Sequence, residues 1–185
     1  WVSEPRQHIR RLIHFRAVKG ATYCGTWGFS VDFVPLVRGL TSSIPRFTSK
    51  RTAKVAEFDL RLGPVDDNFR GQTWYSFSWL DPNPDRIADV GVAVFDAAFS
   101  DFARVSGLGD LRSLFSERSQ MKVSGISLSN FTQTDLCWGL LCIARGDEME
   151  GMKRLEAFCA RFSVALQAKA LVSAVETAGG VALGG

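Results

Sequence analysis

The spacing of apolar residues changes near residue 81, from alternation to steps of three and four. Between residues 7 and 80 the pattern is mainly that of strands, and between residues 84 and 178 it is mainly that of helices. The predicted strands are residues 8–18, 27–37, 55–62 and 73–80, with a turn region at 20–25. The glycine-rich end, residues 179–185, predicts a flexible tail.

Alternation within the strands predicts which side chains face the core. We expect Trp27, Phe29, Phe33, Phe58 and Phe77 to join the apolar faces of the helices in one core. The remaining side chains assigned inward are Ile9, Ile13, Phe15, Ala17, Val31, Ala56, Leu60, Leu62, Tyr75 and Trp79. Those assigned outward include His8, Arg10, His14, Arg16, Glu57, Asp59 and Arg61.

Capping residues predict where the helices begin. Asn83 caps a helix that runs from Pro84 to about residue 105 and buries Ile87, Val90, Val94, Ala98 and Phe102. Asp110 caps a short helix to about residue 118. A capping box at 132–135 opens a third helix, which Gly146 ends. Asp147 caps a last long helix that reaches about residue 178, and the two last helices form an antiparallel pair.

These elements predict a single α+β domain over residues 1–185. Its antiparallel sheet has about four strands, followed by a C-terminal helical layer packed on one face. A chain of 185 residues can bury a sizeable core, and its 14 Phe and 5 Trp supply the aromatic area for one.

Positive charge is concentrated at the N-terminal end. Residues 1–54 hold ten lysines and arginines against Glu4 and Asp32, although the whole chain carries only +3. The densest segment is residues 46–54, where a loop beside an aromatic strand combines charge with hydroxyl groups. We therefore predict an anion-binding loop, with a plain solvated loop as the alternative. Its residues are Arg46, Thr48, Ser49, Lys50, Arg51, Thr52 and Lys54.

Catalytic and metal-binding patterns are not evident in the sequence. His8 and His14 lie six residues apart on one strand, about 20 Å between Cα atoms at the usual rise, so they cannot share a metal. His14 beside Asp32 on the next strand is a candidate acid/base pair, with a surface strand pair as the alternative. The glycines match no phosphate loop or nucleophile elbow. We predict no catalytic residues, no metal and no cofactor.

The cysteines and the apolar runs predict a cytoplasmic protein. Cys24, Cys137, Cys142 and Cys159 lack C-x-x-C spacing, and three of them lie among apolar residues of predicted helices. Reduced thiols are therefore expected. No signal peptide is visible, and the apolar runs are too short to span a membrane.

Two stretches carry a resemblance to a known family. The segment WGFSVDFVPLVRG at 27–39 and the segment TSKRTAKVAEFDLRLGPVD at 48–66 resemble bacterial proteins of the family called domain of unknown function 4304. The shared pieces are Asp32-Phe33-Val34-Pro35, Lys54 and Phe58-Asp59-Leu60. Phe47 stands near the place where such relatives carry a histidine. The resemblance implies a bacterial source and no known activity.

The leading hypothesis is a non-enzymatic binding or protein-interaction module with an unidentified protein partner. The alternative is an enzyme or binder that acts on an anionic small molecule, or on nucleic acid, through the loop at 46–54. Nucleic acid is the less favoured ligand, because four charges are a short footprint. A deep polar pocket near this loop would favour the alternative, whereas a broad exposed aromatic or charged face would favour the module.

Overall fold

The computed structural model describes residues 2–3, 6–18, 21–38, 46–48, 57–63, 75–80, 82–120, 122–123, 126–127, 134–161 and 168–179. The strands are β1 (Ile9–Val18), β2 (Thr22–Val31), β3 (Leu36–Arg38), β4 (Arg46–Thr48), β5 (Leu60–Gly63), β6 (Ser76–Ser78), β7 (Lys122–Val123) and β8 (Ile126–Ser127). The helices are α1 (Pro84–Ala103), α2 (Leu108–Ser119), α3 (Thr134–Ala144), α4 (Glu148–Arg161) and α5 (Ala168–Gly179).

The main sheet is antiparallel and has four strands, with β2 at its centre. β1 pairs with β2 along its whole length, from Ile9 opposite Val31 to Val18 opposite Thr22. β5 and β6 share the other edge of β2, where β5 pairs near Phe29 and β6 pairs near Tyr23. The predicted α+β class, with a four-stranded antiparallel sheet followed by helices, is therefore confirmed.

β2 is shifted toward the N-terminus relative to the prediction. The segment from Thr22 to Gly25, predicted as part of a turn, already pairs with β1, and Ala21 lies in the turn with a φ of +59°. Glycine at position 25 is typical of a turn, but here its lack of a side chain allows α1 to pack closely on β2. A Cβ atom at Gly25 would lie 2.3 Å from a methyl carbon of Val94, so glycine lets α1 approach the strand.

α1 is the helix that packs on the sheet. Val90, Val94, Ala98 and Phe102 are buried, as the helical period predicts, whereas Ile87 is exposed. The ring of Phe102 meets the ring of Phe29 edge to face, with centroids 5.3 Å apart. At the same level the indole N–H of Trp27 donates a 2.7 Å hydrogen bond to the carboxylate of Asp101. Apolar and polar contacts thus fix the same helical turn.

The predicted core is correct in the centre of the sheet and wrong at its edges. Trp79, assigned inward, is 55% exposed, and Arg10, assigned outward, is buried. Trp27, Phe29 and Phe33 join one cluster of buried residues that includes the apolar faces of the helices, and Phe77 is partly buried against it. Phe58 is only half-buried, and its ring packs on His14 with centroids 4.9 Å apart. Phe15 and Ala17, which were assigned inward, are exposed.

Asp59 was predicted to face outward and is buried instead. Its carboxylate accepts a 2.7 Å hydrogen bond from the backbone N–H of Val31, and its own N–H donates to the carbonyl of Phe29. Just before β5 begins, the Asp59 side chain therefore takes the place of a main-chain acceptor and satisfies a buried N–H donor. Simple alternation cannot anticipate a carboxylate used in this way.

Helix starts agree with the sequence more closely than helix ends do. α1 is capped by Asn83, whose side chain accepts from the N–H groups of Asp85 and Arg86. α2 begins at Leu108 with Gly107 as its N-cap, so Asp110 lies inside the first turn and does not cap it as predicted. Two helices, α4 and α5, occupy the range where one long helix was predicted.

Asp110 still stabilises the start of α2. Its carboxylate accepts from the hydroxyl and the N–H of Ser106, and from the N–H of Gly107. These hydrogen bonds, with the Ser106 hydroxyl as the largest cause, lower the pKa of Asp110.

Replacing Phe29 with alanine tests this core. Phe29 is fully buried, so Phe29→Ala should lower the free energy of unfolding by about 3 to 5 kcal/mol. Phe99→Ala is a matched control because half of that ring is already in solvent, and its cost should be about 1 kcal/mol. Urea unfolding followed by far-UV circular dichroism measures both. Equal stability losses would contradict the assignment of Phe29 to the core.

Candidate functional site

The predicted anion-binding loop lies mostly outside the described residues. Arg46 and Thr48 belong to β4, whose backbone pairs with β3 from Leu36 opposite Thr48 to Arg38 opposite Arg46. Ser49, Lys50, Arg51, Thr52 and Lys54 are outside the described part of the chain. The anion-binding role of this loop stays a prediction.

The partner of Asp32 is His8 rather than His14. The strand register places His14 opposite Thr26, far along β1 from Asp32. His8, just before β1, reaches Asp32 with its Nδ1 atom 2.9 Å from Oδ1, and its ring meets Phe33 edge to face. The predicted His14–Asp32 pair was therefore wrong, because pairing begins with Ile9 opposite Val31 and places Asp32 beyond β2 at the end where His8 lies.

His14 lies in a less polar setting. Its ring packs on Phe58, and its Nε2 atom is buried without a hydrogen-bond partner. Desolvation by burial lowers the pKa of His14 from its ordinary value of 6.5, Arg16 acts in the same direction, and Glu57 opposes them. The imidazole is therefore held in its neutral form more strongly than a free histidine.

The cysteines resemble packing residues rather than reactive groups. None of the four cysteines is in a disulfide bond, and Cys137 and Cys142 are buried. Burial raises the pKa of Cys142 and of Cys159, which disfavours the reactive thiolate. Within the described ranges, no group of three or more His, Cys, Asp or Glu side chains could hold a metal ion.

The most prominent surface feature is an exposed row of apolar side chains on α1, which we call the apolar stripe. It consists of Ala88, Val92, Phe95 and Phe99, which follow one another at steps of four, three and four residues. Val92 is 62% exposed, Phe95 37% and Phe99 50%. The stripe lies beside the face that α1 buries on the sheet, so the apolar surface continues outward from the core.

A row of carboxylates borders the apolar stripe on the side away from the sheet. Asp85, Asp89 and Asp96 are all exposed, and helical geometry places them about 80° to 120° around the axis from Phe95. We call these residues the acidic row. α1 therefore presents apolar and acidic surfaces side by side along residues 88–96.

Ring contacts hold the stripe in place. Phe95 and Phe99 stack with centroids 6.0 Å apart, and Phe99 meets Phe102 edge to face at 6.1 Å. Phe102 in turn packs on Phe29 in the core. The exposed rings are thus linked to the most buried part of the molecule and lose little freedom when a partner covers them.

A second group of exposed apolar side chains lies at the end of the sheet near the start of α1. Phe15, Tyr23, Trp79 and Leu80 are all exposed. Phe77 links two of them, since it stacks on Tyr23 at 5.7 Å and lies 6.3 Å from Phe15. Exposed aromatic residues therefore occur both on α1 and on the sheet.

Sequence reasoning missed the stripe although a signal was present. The residues assigned to the core, from Val90 to Phe102, leave Val92, Phe95 and Phe99 unassigned. One helix therefore has two apolar rows, more than the sheet can cover.

Comparisons with protein-family models, with curated proteins and with solved structures give no match to this chain. Among the described helices none is both long enough and apolar enough to cross a bilayer. α1 has the length, but it carries the acidic row.

The buried imidazole predicts a pH effect on stability. The folded state lowers the pKa of His14, so the unfolded chain binds a proton there more readily, and the free energy of unfolding should fall as the pH drops below 6.5. His14→Gln should remove this part of the pH dependence. Urea unfolding between about pH 5 and 8 measures it, in the range where histidine titrates. A parent and a variant with parallel pH profiles would contradict the assignment.

Proposed function

We propose that this protein is a non-enzymatic interaction module that binds a basic amphipathic helix of another protein on the apolar stripe of α1. The observation that carries the proposal is the exposed stripe next to the acidic row. Large exposed apolar surface is costly in water, and it commonly marks a site of association. Two of its four members are phenylalanines, a residue type enriched in protein interfaces.

The geometry of α1 favours a helix as the ligand. A straight row that repeats at steps of three and four residues matches the apolar face of another helix, which has the same period. The acidic row lies along one side of the stripe only. A partner helix with lysines or arginines on the matching side would therefore be fixed in its orientation as well as in its position.

Chemistry at the described residues also supports binding over catalysis. His14 does not pair with Asp32, and burial disfavours the thiolates of Cys142 and Cys159. The free thiols support a reducing compartment, so we place the module in the cytoplasm. A bacterial source rests on the sequence resemblance alone. An enzyme or binder acting through the loop at 46–54 is kept as the alternative hypothesis.

A designed peptide tests the proposal. It should form a helix of about 18 residues, long enough to cover most of α1, with leucines in one row and lysines beside them. We expect this peptide to bind the parent protein, and binding should weaken with salt because the acidic row contributes. Fluorescence anisotropy of the labelled peptide measures the affinity.

Substitutions on α1 identify the binding surface. Phe95→Ser/Phe99→Ser should abolish binding of the peptide. Asp89→Lys/Asp96→Lys should weaken binding of the lysine peptide and strengthen binding of a peptide with glutamates in place of the lysines. Met149→Ser is the control, because Met149 is 85% exposed on α4, outside the stripe and the acidic row. The proposal fails if the parent binds no amphipathic peptide, or if the charge reversal leaves peptide preference unchanged. If sedimentation showed that the protein self-associates through the stripe, the occupant of the stripe would be a second copy of this chain and not a basic helix of another protein.

A further inference from the structure

A cavity of about 600 Å³ lies among α2, α3, α4 and the turn between α3 and α4. It is separate from the apolar stripe of α1, and its lining is mostly polar. Its volume falls within the usual range for sites that hold small molecules, about 300 to 1,000 Å³. We call it the arginine pocket, after Arg112, Arg145 and Arg154, which line it together with Ser113, Ser116 and Glu150.

α2 supplies one wall of the arginine pocket through its polar face. Arg112, Ser113 and Ser116 follow the helical period on this face, while Leu111, Leu114 and Phe115 point into the core. The hydroxyl of Ser113 donates to the carbonyl of Gly109, at 3.2 Å. The hydroxyl of Ser116 has no hydrogen-bond partner among the described residues and remains available to a ligand.

Two of the three arginines are oriented by carboxylates. Nη2 of Arg112 donates to Asp147, and Arg154 donates through Nε to Glu150 at 2.7 Å and through Nη1 to Asp135 at 3.3 Å. Of these three acids only Glu150 lines the cavity. Because a guanidinium has five N–H donors, both arginines keep donors beyond these bonds.

Trp138 further restrains Arg154. The guanidinium lies over the indole with its carbon 3.2 Å from the ring centroid, and the indole packs beside Phe115 in the core. Such stacking fixes the plane of the guanidinium fork. Trp138 is only 6% exposed, so it offers no free face for a nucleobase.

Of the three arginines, Arg145 alone has no ionic partner among the described residues. It is exposed in the turn before α4, and its guanidinium passes within 3.9 Å of the position of a Cβ atom at Gly109. Its charge is therefore held at the start of α2 beside those of Arg112 and Arg154. The charges of Arg112 and Arg154 are balanced by Asp147, Glu150 and Asp135, so Arg145 carries the uncompensated positive charge at the pocket.

We infer that the arginine pocket binds a small phosphorylated molecule through its phosphate groups. Guanidinium forks match the oxygen geometry of phosphate, and serine hydroxyls complete its hydrogen bonds. The covered indole favours recognition of phosphate over recognition of a base. This function is independent of the helix-binding surface on α1, because the two sites share no residue.

Calorimetric titration with inorganic pyrophosphate at low salt tests the inference. The parent protein should bind pyrophosphate, and citrate should compete less well, because its planar carboxylates lack the tetrahedral oxygen arrangement of phosphate. Arg145→Gln should weaken pyrophosphate binding about tenfold or more, since it removes a charged bidentate donor. Arg145→Lys should restore only part of the affinity, because lysine keeps the charge but lacks the fork.

Two control variants locate the site. Lys153→Gln removes the same charge from an exposed position of α4 that does not line the pocket, and it should bind pyrophosphate as the parent does. Lys50→Glu/Arg51→Glu changes the loop at 46–54 and should also leave binding intact. The inference is overturned if pyrophosphate does not bind, if Arg145→Gln and Lys153→Gln lose affinity equally, or if only the loop variant loses it. Equal affinity for citrate would overturn the phosphate assignment.

Discussion

The close approach of α1 to the centre of the sheet determines how the rest of the molecule is arranged. Gly25 lets Val94 approach the strand, and Trp27 holds Asp101 about two helical turns further along α1. These contacts fix the rotation of α1 about its axis. That rotation decides which apolar row is buried and which row stays in solvent, so the surface assigned to partner binding depends on contacts inside the core.

The end of α1 is held just as firmly. Nη2 of Arg11 donates to the carbonyl of Val105 at 2.9 Å, and Arg104 pairs with Glu117 across the turn into α2 at 2.6 Å. α2 is therefore positioned by contacts with β1 and α1. Since α2 supplies a wall of the arginine pocket, the pocket is supported by the same framework as the stripe. One continuous core thus presents two unlike surfaces, one apolar and acidic and the other cationic.

Local features of the sequence were enough to predict some parts of this structure. The cap at Asn83, the buried row of α1 and the tight turn before Asp147 depend on neighbouring residues, and the structure confirms them. Gly25 and Asp59 were misassigned because their roles depend on a helix and a strand distant in sequence. The arginine pocket could not be predicted for the same reason, since Arg112 and Arg154 meet only after α2, α3 and α4 have packed.

The position of the acidic row has a consequence for self-association. Two copies that paired antiparallel along their apolar stripes, about a two-fold axis perpendicular to the helices, would bring both acidic rows to the same side of the contact. Asp89 and Asp96 of each copy would then face carboxylates of the other, and their repulsion would oppose the attraction between the phenylalanines. The carboxylates therefore oppose this mode of self-association, whereas a cationic surface would meet no such repulsion.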